Sequence, residues 1–219
     1  VAHCSDTNCT SATITALDST GDVGFHTSIT IGADGLGLIS YYDLTNRHLK
    51  VAHCSGTTCT GSTITTLDFT DNVGSYASIT IGADGLGLIS YYDWNNTALK
   101  VAHCSDTDCM NPTLTTLDSG VAGSYTSITI GADGLGLISY QQRGDFGSPD
   151  YISVAHCNDT NCTSATKTKL DSTGVVGQYT SITIGADGLG LISYQDSTGV
   201  DLKVAHCENA FCSPYFRRR

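Results

Sequence analysis

The tetrapeptide VAHC begins at Val1, Val51, Val101, Val154 and Val204, so the chain repeats itself at spacings of 50, 50, 53 and 50 residues. A longer block, SITIGADGLGLISY, recurs without a change at Ser28–Tyr41, Ser78–Tyr91, Ser127–Tyr140 and Ser181–Tyr194. A period of this length marks a unit that buries its faces against copies of itself, and it outranks every local signal. The reading is a single repeat domain over 1–219, with units 1–50, 51–100, 101–153 and 154–203 and a partial unit 204–219.

Four strands are predicted in each unit. In TSITIGA the β-branched Ile29 and Ile31 alternate with Ser28, Thr30 and Gly32. The following Asp34-Gly35 pair, flanked by apolar residues, is a strong hairpin signal. LGLISYYD forms the second strand, LKVAHC the third and SATITALD the fourth. The loop before the third strand differs in every copy (LTNRH, WNNTA, QQRGDFGSPDYIS, STGVD), which places it on the surface. Four short antiparallel strands per repeat of about 50 residues predict an all-β, propeller-like array of four-stranded blades, with a β-solenoid as the alternative. Composition agrees with strands and turns: 24 of 219 residues are glycine, and Glu208 is the only glutamate.

SITIGADGLGLISYYD, LKVAHC and the Cys-x4-Cys turn together resemble the highly repetitive propeller-like arrays of secreted bacterial proteins. The resemblance covers the whole chain and implies blades and an extracellular setting; it supplies no active-site residues. Sialidase-type propellers are a weaker likeness. Their Asp-box pattern is not matched, and only Arg47, Arg143 and Arg217, Arg218 and Arg219 could serve the arginine cluster they need.

All ten cysteines fall in Cys-x4-Cys pairs: Cys4 with Cys9, Cys54 with Cys59, Cys104 with Cys109, Cys157 with Cys162 and Cys207 with Cys212. Five local disulfides bridging the third and fourth strands are expected, in an extracellular or cell-surface location. The rival is a metal site, because His3, His53, His103, His156 and His206 each precede a cysteine. Adjacent side chains of a strand point to opposite faces, which disfavours a shared ion. The histidines are instead expected to hydrogen-bond between blades. Asp34, Asp84, Asp133 and Asp187 stand alone in their turns, without the oxygen set that calcium needs. No metal and no cofactor is expected.

The SYYD segment joins aromatic faces to a carboxylate, which suits sugar recognition. Tyr42, Asp43, Tyr92, Asp93, Trp94, Gln195 and Asp196 are the candidate ligand-binding residues. The second tyrosine becomes Gln in later copies, so that position is expected to face solvent or ligand. Sequons at Asn8, Asn95, Asn158 and Asn161 are possible glycosylation sites.

A net charge of −11 argues against nucleic-acid partners, and no apolar run approaches the ~20 residues of a membrane-spanning helix. Every candidate catalytic group recurs in equivalent copies, as structural repeats do, so no enzyme activity is expected. The chain opens with the back half of a unit and ends in a unit whose last strand, Ser213-Pro214-Tyr215-Phe216, is degenerate. From these open edges the expectation is a homo-oligomer by strand completion, forming a non-catalytic extracellular scaffold or adhesive filament. The alternative is a lectin-like propeller that binds glycans multivalently.

Overall fold

The computed structural model describes residues 1–144 and 147–213. A hairpin of β1 (Ala2–Cys4) and β2 (Ala12–Ile14) is followed by antiparallel blades. The first holds β3 (Val23–Ile31), β4 (Gly37–Asp43), β5 (His48–Cys54) and β6 (Ser62–Asp68). The second holds β7 (Val73–Ile81), β8 (Gly87–Asp93), β9 (Ala98–His103) and β10 (Thr113–Ser119). The third holds β11 (Ala122–Ile130), β12 (Gly136–Gln142), β13 (Tyr151–Cys157) and β14 (Ala165–Asp171). In the fourth, β15 (Val176–Ile184), β16 (Gly190–Asp196) and β17 (Asp201–His206) are described. The degenerate segment Pro214–Phe216 lies outside the described residues.

Each sheet therefore starts some 20 residues after a VAHC motif, and the blade frame is offset from the repeat frame. Strands β3, β7, β11 and β15 lie side by side, one per blade, as the innermost row of an array whose sheets do not close. The expected propeller-like architecture is the one found.

The cores lie between blades. Leu38, Leu49 and Val51 of the first blade pack against Val73, Ala77 and Ile79 of the second. The same set recurs as Leu88, Leu99 and Val101 against Ala122 and Ile128, then as Leu137, Ile152 and Val154 against Val176 and Ile182. This explains strands that are apolar on both faces. At the outer blades the same positions lack a neighbour: Ile29 is 58 % exposed against 5 % for Ile79, and Leu202 80 % against 0 % for Leu49.

Buried polar bridges tie successive blades. Tyr41 donates to Asp18 at 2.7 Å, Tyr91 to Asp68 at 2.8 Å, Tyr140 to Asp118 at 2.7 Å and Tyr194 to Asp171 at 3.0 Å. Each Asp closes the fourth-strand motif that precedes the tyrosine's blade: SATITALD after the N-terminal hairpin for Tyr41, and the last strand of the preceding blade for the others. Lys50, Lys100 and Lys203 sit between that Asp and a second one, Asp43, Asp93 or Asp196. In the third blade Ser153 and Gln142 replace the lysine and the second aspartate, and Lys167 reaches Asp118 from β14 at 2.7 Å.

The five expected disulfides form: Cys4 with Cys9, Cys54 with Cys59, Cys104 with Cys109, Cys157 with Cys162 and Cys207 with Cys212, at Cα separations of 4.5 to 4.9 Å. Their placement corrects the expectation that they bridge two strands. The first cysteine ends the third strand or directly follows it, but Cys9, Cys59, Cys109 and Cys162 lie in the turn before the fourth strand begins, and Cys212 lies in the equivalent turn. The reason is the turn itself. Each of these five donates its N–H to the carbonyl three residues back (Cys9 to Asp6, Cys59 to Gly56, Cys109 to Asp106, Cys162 to Asp159, Cys212 to Asn209) and has φ between 49° and 55°. That left-handed residue folds the chain back onto the strand end, so the bridge closes within the turn.

The histidines act mainly within a blade, not between blades as expected. His53, His103, His156 and His206 place Nε2 at 2.7–2.8 Å from Asp34, Asp84, Asp133 and Asp187 of the same blade's Asp-Gly hairpin. Among the described residues only His53 also reaches the next blade through a carboxylate, with Nδ1 at 2.7 Å from Asp108; the corresponding residue facing His156 is Phe211. The hairpin aspartates also accept backbone N–H groups, as Asp34 does from Leu36 at 3.0 Å.

Candidate functional site

The innermost strands are longer than the SITI alternation predicts, beginning at Val23, Val73, Ala122 and Val176. Two register shifts interrupt each of them, for example between Val73 and Ser75 and between Ser75 and Ser78. A bulge adds a residue to one strand, re-aims side chains and destroys the period of two, so the first half of the strand escapes a pattern search.

The first irregularity admits a glycine where two backbones meet. A Cβ on Gly74, at φ +106°, would lie 2.7 Å from Leu49 Cα. The second throws an aromatic residue out of the ladder in every blade. His26, Tyr76, Tyr125 and Tyr179 occupy this position with φ between 52° and 56°, a left-handed conformation that bulky side chains rarely adopt. Their rings form one continuous row: His26 to Tyr76 4.6 Å, Tyr76 to Tyr125 4.6 Å and Tyr125 to Tyr179 4.7 Å between centroids, tilted by 44° to 54°. Tyr76 and Tyr125 are partly exposed, and Tyr179 is 68 % exposed. Burial, with Tyr76 and Tyr179 alongside, pushes the Tyr125 phenol up to about 12, so it stays a neutral donor at physiological pH.

The predicted ligand residues lie behind this row. Tyr42 and Tyr92 are buried, contrary to the expectation that their position faces outward. Their rings back His26 at 6.5 Å and Tyr76 at 6.3 Å, and the Tyr42 hydroxyl donates to Asn72 at 3.0 Å. Asp43, Asp93 and Asp196 are buried too. Asp43 and Asp93 hold Asn46 and Asn96 in the following turn, while Asp196 accepts the Thr198 and Gly199 N–H groups. Their oxygens are committed to the fold. Gln195 is half-buried. Trp94 alone of the set is well exposed, at 46 %; its indole meets Tyr92 edge-on at 5.0 Å and donates to Ser75 Oγ at 2.9 Å. Asn8, Asn95, Asn158 and Asn161 are exposed.

Sequence reasoning missed His26, Tyr76, Tyr125 and Tyr179, each two residues before SITI. The available signal was the column itself: an aromatic ring in all four copies, between variable neighbours.

The sequence matches no family model. It matches no curated protein. Solved structures share the fold. An α-L-arabinanase of Penicillium chrysogenum in complex with arabinobiose superposes with TM-score 0.63 at 11 % identity, over 88 % of this chain and 65 % of that one. An endo-arabinase of Bacteroides thetaiotaomicron gives 0.54 at 11 % identity, over 88 % and 75 %. An endo-1,4-β-xylanase of the same organism gives 0.54 at 13 %, over 85 % and 72 %. Most of the structures alike in fold are glycoside hydrolases, and this overturns the expectation of a non-catalytic scaffold. Propellers are built by repeating blades and one fold hosts many functions, so repetition is no argument against catalysis.

Proposed function

We propose that this chain is a secreted, carbohydrate-processing propeller that holds a glycan strand along its inner row of aromatic rings. The observation that carries the reading is the row itself, His26–Tyr76–Tyr125–Tyr179, one ring per innermost strand. Aromatic faces stack on the C–H faces of sugars, and phenol edges supply hydrogen bonds. Five disulfides support secretion, since such bridges persist in oxidising compartments. The fold shared with arabinanases and a xylanase supports glycans as the substrate class.

Glycosidic cleavage uses two carboxyl groups flanking the scissile bond. Most aspartates of the blades are tied into hairpins or the Tyr–Lys bridges. Two exposed ones remain in the loops leading into the innermost strands. Asp22 precedes β3, and Asp71 precedes β7, its carboxylate in an exposed contact of 3.8 Å with Arg47. These are the acids we assign to the reaction.

The test is incubation with arabinan, β-1,3-galactan and xylan, reading affinity electrophoresis and release of reducing ends. The expected result is retardation by at least one polysaccharide, weakened about ten-fold in Tyr76→Ala and Tyr125→Ala. Sugar release should be lost in Asp22→Asn and Asp71→Asn with retardation kept. No retardation and no release on any of the three would overturn the reading.

A further inference from the structure

The repeats are identical over SITIGADGLGLISY, so the places where copies differ at one rim of the array carry information about what that rim contacts. The residue just past the second strand of each blade is Leu44, Trp94, Arg143 and Ser197 in turn. The four positions are structurally equivalent. Each backbone N–H donates to a carbonyl in the loop leading into the innermost strand: Leu44 to Asp22 at 2.9 Å, Trp94 to Asn72 at 3.0 Å, Arg143 to Val121 at 2.8 Å and Ser197 to Val175 at 2.8 Å. All four side chains are exposed. One rim position, held by the same backbone bond, thus presents an alkyl group, an indole, a guanidinium and a hydroxyl on successive blades.

We propose that Trp94 and Arg143 form adjoining subsites for an acidic glycan, the indole stacking on one sugar ring and the guanidinium binding the anionic group of the next. This rests on the glycan reading given above and names its substrate class.

Three observations support the pairing. Trp94 lies edge-on against Tyr92, which backs Tyr76 of the aromatic row, so the indole joins the same surface. Arg143 comes from the neighbouring blade, and its positive charge acts on the Tyr92 phenol, opposing the upward shift that burial imposes. Among the described residues Arg143 makes no ion pair, whereas Arg47 is paired with Asp71. The nearest acid along its own loop among those residues, Asp150, accepts the Gly144 N–H at 3.3 Å. A guanidinium without a partner offers a planar fork to a carboxylate or sulfate, forming two parallel charge-assisted bonds. The net charge of −11 does not prevent this, because charges beyond a Debye length of about 8 Å are screened at physiological salt.

The experiment compares matched trisaccharides by titration calorimetry: a galacturonate oligomer, a sulfated galactose oligomer and a neutral galactose oligomer, each against the wild type, Arg143→Gln, Arg143→Lys and Trp94→Ala. An acidic ligand should bind at least about ten-fold tighter than the neutral one, and the better of the two identifies the anion. Arg143→Gln should erase that preference, Arg143→Lys should keep part of it, and Trp94→Ala should weaken all ligands. Equal binding of acidic and neutral oligomers, or a preference that survives Arg143→Gln, would overturn the proposal and leave the glycan reading standing. No binding of any of the three would overturn the proposal, while retardation by arabinan, β-1,3-galactan or xylan decides the glycan reading separately.

Discussion

The Thr126 hydroxyl donates a 2.6 Å hydrogen bond to Ser90 Oγ across the boundary between the second and third blades, with both residues buried. Ser139 and Thr180 share the equivalent bond, 2.7 Å long, at the next boundary. At the first boundary the partner of Ser40 is Ala77, and Ser40 Oγ is buried without a hydrogen-bond partner. A buried hydroxyl left unpaired costs roughly 1–3 kcal/mol.

Ala77→Thr should therefore stabilise the protein, by about 1 kcal/mol, because the site already accepts threonine in two other blades. Thr126→Ala should destabilise it by about 1–3 kcal/mol by orphaning Ser90. Urea denaturation of both variants checks the pair; an unstable Ala77→Thr would show that the first boundary is packed differently from the others.

The Tyr–Asp–Lys bridges predict a non-additive series. Asp68 and Asp93 are almost wholly buried, and Lys100 is their common cation. Lys100→Ser should cost roughly 3 kcal/mol, since it strands two buried carboxylates. The third blade contains the alternative solution, with Ser153, Gln142 and a lysine on its outermost strand. Transplanting it as Lys100→Ser, Asp93→Gln and Leu114→Lys should recover most of the loss, so the three changes couple strongly in a thermodynamic cycle. Simple additivity of the single variants would refute the interpretation.

Acid should unfold the protein through the same bridges. Burial raises the Asp171 carboxyl, but hydrogen bonds from Thr173, Tyr194 and Lys203 outweigh it and hold the pKa at about 2. Asp68 is depressed likewise: burial opposes, and Lys100, Thr70 and Tyr91 prevail. A carboxyl whose folded pKa lies below its unfolded value of about 3.9 contributes stability that is full above that value and is lost as pH falls through the folded one. Thermal unfolding midpoints should stay flat down to about pH 4.5 and drop between about pH 4 and 2, with a shallower drop in Asp171→Asn. A decline beginning above about pH 5 would point to other groups.

Much of the architecture was legible in the chain because the signals were local. The Asp34-Gly35 hairpin, the Cys-x4-Cys pairing and the alternation of Ile29 and Ile31 each depend on residues a few positions apart. The site was less legible for two physical reasons. Bulges around Gly74 and Tyr76 break the alternation, so Tyr76 fell outside the predicted strand. The burial of Tyr42 and Tyr92 depends on the following blade, about 30 residues downstream for the Asn72 that Tyr42 contacts. A repeat reports what each unit contains, but not which of its faces the next unit covers.

The same covering separates two glycines at equivalent positions of successive blades. Gly74 and Gly24 both precede an innermost bulge with positive φ, +106° and +88°. A Cβ on Gly74 would meet the Leu49 backbone at 2.7 Å, whereas one on Gly24 would have nothing within 4 Å. Gly24→Ala thus incurs only the conformational cost of a left-handed alanine, about 1 kcal/mol. Gly74→Ala adds a clash with backbone that cannot rotate away, forcing β7 off the first blade for roughly 3 kcal/mol or more in total. Because β7 also carries Tyr76, the displacement should reach the aromatic row. Gly74→Ala should weaken glycan retardation under folded conditions, and Gly24→Ala should not alter the contribution of Tyr76. Equal stabilities for the two variants in urea denaturation would mean that β7 does not lie against Leu49 as described.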